Sequence, residues 1–277
     1  MFTTTKLTYF SPPADGSGAF AHINADPATG GRPKNWNEDI RVAQIEDIRG
    51  KEVEYSLDVS GFQYYRHQAK HTKFTNDKEI EEEYYPESVE LLKKLTGASR
   101  VVIFDHTIRR RRPGEVDDNP HKRQPLALVH VDQTEGSSIV RVHRHLPARD
   151  VPGLLRGRFQ IINLWRPISH PAVDWPLAVC DFHSLVMKED LLPVALIYPD
   201  REGETHGAKY SPNQKWMHKS AMDPEDFVLF KWPVFDSVQD GSVAILTPHT
   251  GFEDPKTPKD APLRESIELR ALVFYEN

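Results

Sequence analysis

Cysteine is almost missing from this chain. Cys180 is the only one among 277 residues. Neither a disulfide framework nor a cysteine-rich zinc site can be built from it, and the composition suits a reducing compartment, here expected to be the cytoplasm. Long hydrophobic runs are missing too. No apolar stretch approaches the ~20 residues that a membrane-spanning helix needs. The first residues, Met1-Phe2-Thr3-Thr4-Thr5-Lys6, lack the apolar core of a signal peptide. There is no surplus of positive charge either. The formal net charge is −6, which removes the electrostatic reason to expect nucleic acid or an anionic membrane as partner. What is present is the composition of a soluble globular protein, long enough to bury a real core.

Residues 1–40 are rich in Pro, Gly, Ala and Asn, with one short strand signal, Leu7-Thr8-Tyr9-Phe10, before Pro12-Pro13. They read as an arm that acts as a lid or crosses to a neighbouring subunit, or else as a loosely ordered tail. From residue 41 the patterning tightens. Residues 42–62 read as a hairpin, in which Val53, Tyr55, Leu57 and Val59 alternate with Glu54, Ser56 and Asp58. Residues 79–95 read as a helix with Pro86-Glu87 in an early turn, a stripe of Val89, Leu92 and Leu95, and Gly97 as C-cap. Residues 100–107 read as a buried strand. Arg109 to Arg112 then form a run of four arginines. It is either a cationic rim for an acidic substrate or a solvated loop balanced by Glu115, Asp117 and Asp118. Further strand signals follow between Pro-rich turns, at 126–131, 158–165, 176–180, 194–198 and 227–234. Many short strands of this kind predict a mainly β domain with flanking helices, a sandwich or barrel, over residues 41–277. The insertion at 187–219 is a second lid candidate.

Two stretches carry chemistry. Arg264, Ser266, Glu268 and Arg270 alternate with Ile267, Leu269, Ala271 and Val273, so the polar set points to one face of a strand. An arginine fork on that face suits a carboxylate, and a serine hydroxyl adds a second hydrogen bond. His249 lies just upstream on a loop signal, between Pro248 and Gly251. Much earlier, His130-Val131-Asp132 projects an imidazole and a carboxylate from one strand face. His130, Asp132 and His249 together make a candidate two-histidine, one-carboxylate set. Such a set leaves positions open on an octahedral Fe(II) for a cosubstrate and O2. Arg264 with Ser266 would then hold the far carboxylate of 2-oxoglutarate. The plain alternatives are a chance His-x-Asp, a surface Arg264 paired with Glu265 or Glu268, and an all-nitrogen set at His143-Arg144-His145.

The run Ile162-Asn163-Leu164-Trp165-Arg166-Pro167-Ile168, followed by Asp174-Trp175-Pro176-Leu177-Ala178-Val179-Cys180-Asp181 and Ser184, resembles a fungal and bacterial family of secondary-metabolism oxygenases. The family is described as cephalosporin-methoxylase-like or gibberellin-desaturase-like. Asp47-Ile48-Arg49-Gly50, Gly61-Phe62, Leu229-Phe230-Lys231 with Asp236-Ser237, His249-Thr250-Gly251-Phe252 with Asp254-Pro255, and Arg264 to Arg270 are similar to it as well. The resemblance runs from about residue 40 to the C-terminus. It implies a double-stranded β-helix, or jelly roll, that uses Fe(II), 2-oxoglutarate and O2. It implies His130, Asp132 and His249 as the catalytic metal ligands and Arg264 with Ser266 as the cosubstrate clamp. The substrate it implies is a small apolar natural product, altered by hydroxylation, desaturation, ring formation or endoperoxide formation, and the favoured assembly is a homodimer. Arg166 and Asn163 fall within the first motif as further cosubstrate or substrate contacts; otherwise Trp165 packs in the core and Arg166 pairs with Asp181. Gly251 departs from the family pattern, where a larger residue, often Ala, is expected. Two other classes stay open: a cupin-like metal enzyme without 2-oxoglutarate, and a non-catalytic jelly-roll partner subunit.

Overall fold

Alternation along the strands decides the architecture. The structure, a computed structural model, describes residues 1–277 except 25, 27, 28, 30, 116, 118, 233–242 and 276–277. Its strands in chain order are β1 (Phe2–Ser11), β2 (Ala19–His22), β3 (Asn37–Asp47), β4 (Phe62–Arg66), β5 (Arg100–Arg110), β6 (His130–Val131), β7 (Phe159–Pro167), β8 (Leu177–Cys180), β9 (Leu191–Ile197), β10 (Glu202–Ala208), β11 (Trp216–His218), β12 (Asp226–Lys231), β13 (His249–Gly251) and β14 (Glu265–Phe274). A smaller sheet, ordered β4-β12-β7-β14-β5, is antiparallel throughout. A larger, curled sheet is ordered β1-β3-β11-β8-β13-β6-β10-β9-β2, with parallel pairs at β3/β11 and β2/β9. The result is a jelly roll.

Three apolar layers hold the sheets. Phe62, Tyr64, Trp165, Val179, Val228 and Phe230 pack in one core with Leu177 and Met217. Ile162, Leu164, Ile267 and Leu269 turn the other way and pack against Ile80, Tyr84 and Leu92. Leu92 belongs to the helix Tyr85–Thr96, which starts with Pro86 in its first turn and stops at Gly97 in the left-handed region, φ 74°. Each fully buried Leu, Ile or Phe contributes roughly 1.5–3 kcal/mol. The apolar face of β14 is thereby pinned outward, and its polar face is committed inward.

The third layer takes in the start of residues 1–40. β1 pairs with β3 along its whole length, from Phe2↔Glu46 to Ser11↔Asn37. Leu7 and Tyr9 are buried with Ile45, Val129, Val131, Ala178 and Cys180. The polar residues Thr3 to Lys6 hid this strand, because backbone pairing needs no apolar side chain. The Thr8 carbonyl also accepts the Val129 N–H at 2.8 Å, so the first strand braces the segment that delivers His130. Phe10 lies so close to Gly207, the partner of His130 across β6 and β10, that a Cβ there would sit 2.5 Å from the ring.

Residues 53–59 also differ from the expected hairpin. Ser56 accepts the Val59 N–H and caps a single helical turn, Leu57–Ser60, which ends at Gly61 with φ 88°. A local side-chain cap outcompetes the alternating pattern here, and Val53 stands in solvent. Residues 140–142 lie in the helix Glu135–His145, capped by Thr134. Residues 187–219 supply β9, β10 and β11 to the larger sheet. The end of the strand expected at 227–234, and Asp236-Ser237, lie outside the described residues.

Candidate active site

β13 lies between β8 and β6, and His249 is the direct cross-strand partner of His130. Their ring centroids are 4.3 Å apart. Asp132 follows two residues after His130, and one ligating atom from each of the three lies within 4.8 Å of the others. The Nδ1 atoms face backbone carbonyls, His130 to Leu128 at 2.8 Å and His249 to Thr247 at 3.1 Å. A carbonyl only accepts, so each Nδ1 carries a proton, which leaves Nε2 as the atom each ring turns toward the carboxylate. Both Nε2 atoms point at Asp132, at 3.4 Å from His130 and 3.7 Å from His249. Tying down the second ring nitrogen in this way is how proteins orient metal-bound histidines.

Electrostatics support the same state. Burial, then the neighbouring His130, push His249 down to about 3, so its imidazole is neutral at pH 7. Burial alone would raise Asp132. The His130 hydrogen bond, with the His249 ring and the Arg270 guanidinium nearby, outweighs it and holds the carboxyl well below the usual range. Asn163 donates Nδ2 to Asp132 Oδ2 at 2.9 Å, while its own Oδ1 is buried without a partner. Two imidazoles and one ionised carboxylate fit a non-haem Fe(II) site.

Arg264 and Ser266 lie on the same side of the small sheet, 2% and 1% exposed. The Arg264 backbone N–H reaches Asp174 Oδ2 at 3.0 Å, Nη1 donates to the Trp175 carbonyl at 2.6 Å, and the guanidinium lies 5.4 Å from the Trp165 ring centre. Burial and the charge of Arg109 lower its pKa to about 9, still a cation at neutral pH. Gly251 makes the room: a Cβ there would lie 3.2 Å from Arg264 Nη1 and from the Leu126 carbonyl.

Comparison with known proteins places this geometry. A family model described as an oxidoreductase/YMDC permease-like domain matches residues 7–274. The hydroxylase/desaturase efuI of Hormonema carpetanum is 34% identical, over 99% of this chain and 95% of that protein. The Fe(II)/2-oxoglutarate-dependent dioxygenase nvfI of Aspergillus novofumigatus is 30% identical, over 96% and 94%. The solved structure of the iron and alpha-ketoglutarate-dependent endoperoxidase NvfI superposes with a TM-score of 0.86 over 100% of this chain and 99% of that one, at 27% identity. The chain belongs to the family of Fe(II)/2-oxoglutarate-dependent dioxygenases. Its relatives are fungal hydroxylase/desaturases and dioxygenases. Among the described residues no helix of the dioxygenase is long and apolar enough to cross a membrane.

Arg166 does not join the site. It is opposite Ile267 on β14, one step out of phase with Asn163 and Trp165. Its guanidinium packs over Phe227 at 5.1 Å and Tyr84 at 5.7 Å, and Nη1 donates to the Pro224 carbonyl at 3.4 Å. Trp165 is a core residue. The arginine run is neither rim nor solvated loop. Arg111 pairs with Asp174 at 2.5 Å, Arg110 with Glu265 at 3.4 Å, and Arg109 faces the barrel beside Ser266. A network reached only in part by sequence reading lies further along the same face. Arg270 meets Glu268 at 2.7 Å and Asp105 at 3.1 Å. The alternation of Asp105, Thr107 and Arg109 along β5 was the available signal.

Proposed function

We propose that this dioxygenase binds Fe(II) through His130, Asp132 and His249, takes 2-oxoglutarate and O2 as cosubstrates, and oxidises a small, largely apolar natural product. Fe(II) held by these residues would, with 2-oxoglutarate and O2, supply the oxidising power, the cosubstrate being converted to succinate and CO2. The chain's own part is placement. Asn163 orients the Asp132 carboxylate, and the Nδ1 contacts hold both imidazoles at a fixed angle. Arg264 and Ser266 receive the far carboxylate of the cosubstrate. Phe230, 4.6 Å from His249 between ring centres, and Trp165 keep water from the buried side. The outcome is a hydroxylation, desaturation, cyclisation or endoperoxidation, chosen by how the substrate lies against the metal. The resemblance to a gibberellin-desaturase-like or cephalosporin-methoxylase-like family leaves the choice among these open. A homodimer in the cytoplasm, with residues 1–40 near the contact, belongs to the same reading, and sedimentation checks the assembly.

The observation that carries the proposal is the convergence of three ligand atoms within 4.8 Å beside a buried arginine whose guanidinium has no ion pair among the described residues. Anaerobic titration of the apoprotein with Fe(II) and 2-oxoglutarate tests it. A weak visible charge-transfer band is expected, and it should be absent in both His130→Ala and Arg264→Ala. Tight iron binding with no band in the wild-type protein would replace this reading by a cupin-like enzyme without 2-oxoglutarate. Failure to bind iron would leave a non-catalytic jelly roll.

A further inference from the structure

The reading above assigns one arginine to the cosubstrate, yet the same pocket holds two. Arg109 is the direct cross-strand partner of Ser266. Residues opposite each other on neighbouring strands share a face and lie within side-chain reach, so Arg109 flanks the serine on the barrel side. Its guanidinium donates Nη1 to the Gln124 carbonyl at 2.8 Å, and none of the described ion pairs includes it. Arg264 is in the same position. Its guanidinium donates to the Trp175 carbonyl, its Nε is buried without any partner, and no described ion pair includes it. Glu268, whose charge favours both cations, is already held by Arg270 at 2.7 Å. Burial lowers Arg109, with Arg270 adding to it; burial and then Arg109 lower Arg264.

A buried guanidinium, Arg264, and a partly buried one, Arg109, on the same face, with main-chain carbonyls as their hydrogen-bond acceptors among the described residues, are costly unless an anion completes them. Both remain charged at neutral pH, and neither can neutralise itself as a lysine would. We infer that Arg109 is a second cosubstrate-binding residue, forming with Arg264 a two-guanidinium socket for the far carboxylate of 2-oxoglutarate. The inference rests on the function proposed above. The socket also predicts selectivity. A 2-oxo diacid places its far carboxylate between the two forks, whereas a 2-oxo monoacid leaves them unmatched.

Anaerobic titration of the Fe(II)-loaded full chain, read by the chelate band, gives the Kd for each acid separately from turnover. Arg109→Met should raise the Kd for 2-oxoglutarate by about tenfold to a hundredfold, the usual effect of losing a hydrogen bond to a charged group. Arg109→Lys keeps the charge without the fork and should raise it by a smaller factor. Iron affinity should be unchanged in both. The Kd for 2-oxobutyrate, a monoacid, should also be unchanged. Wild-type affinity for 2-oxoglutarate in either variant overturns the inference. An equal loss for both acids also overturns it, because Arg109 would then act at the metal end or through the substrate pocket. Should Arg109→Met fail to fold, Arg109→Lys decides, with its melting temperature as the control. If the wild-type chain forms no chelate with 2-oxoglutarate, the proposed function has failed and the socket falls with it. A wild-type chelate that Arg109→Met leaves intact sinks only the socket.

Discussion

Arg264 and Arg270 project from the same face of the same stretch of chain, yet they live in opposite electrostatic settings. Arg270 donates to Asp105 at 3.1 Å and Thr107 at 2.8 Å, and meets Glu268 at 2.7 Å. Burial opposes its charge, but Asp105 and Glu268 outweigh burial and raise its pKa far above the ordinary value. Arg264 has a carbonyl and an aromatic ring for company, and is pushed down to about 9. One end of the face is closed on itself and serves the architecture. The other end is open and fits an anion. Residue type is the same at both, and Arg270 is the somewhat more exposed of the two, so neither property marks the binding arginine as the open one. The census of partners does.

The comparison can be broken most sharply at its closed end. Arg270→Met strands Glu268, and leaves Asp105 without its cation. Removing one partner of a buried ionic group is strongly destabilising. A loss of about 3 kcal/mol is expected in urea unfolding, the low end of the usual range, because Asp105 is partly exposed. Adding Glu268→Gln should recover much of the loss. The same change at Arg264 removes an unpaired cation and should leave stability nearly as it was. Equal losses at the two positions would erase the distinction.

A smaller change sharpens the open end. Gly251→Ala puts a Cβ at 3.2 Å from Arg264 Nη1 and from the Leu126 carbonyl, so the guanidinium must shift by a few tenths of an ångström. Severalfold weaker 2-oxoglutarate binding is expected in the anaerobic titration, with a stability cost of about 1 kcal/mol. Unchanged binding would mean that the guanidinium is not held where it stands.

The smallest effect extends the contrast to a buried base. Both ring nitrogens of His218 are buried without a partner, and burial holds its pKa below the ordinary value. The unfolded chain therefore takes up this proton first as pH falls. Stability should be flat above pH ~6.5 and decline below it, by up to ~1.4 kcal/mol per pH unit from this group until its folded pKa is reached. His218→Phe should make urea midpoints between pH 6.5 and 5 less sensitive to pH. An unaltered slope would show that His218 finds a proton acceptor in the fold.

The parts legible in the sequence share one property: each is local. His130 and Asp132 are two apart, and Arg264, Ser266, Glu268 and Arg270 alternate with apolar residues, so one period tells which side chains stand together. Arg166 was left between two readings although the same rule covers it, since Asn163 and Trp165 inward leave Arg166 outward. β1 was undercounted because Thr3 to Lys6 pair through backbone, and residues 53–59 were misread because one Ser56 cap outweighed a strand pattern.

By itself, then, the sequence determined the polar face of β14, the two-residue step of His130 and Asp132, and the family motifs of a jelly-roll dioxygenase, because periodicity is written into a single strand. Only the tertiary structure decided that His249 faces His130, that Arg109 flanks Ser266, and that Arg270 is neutralised while Arg264 is not. Register between strands and balance between charges belong to pairs of segments far apart in the chain, and those pairs exist only once the sheets have closed.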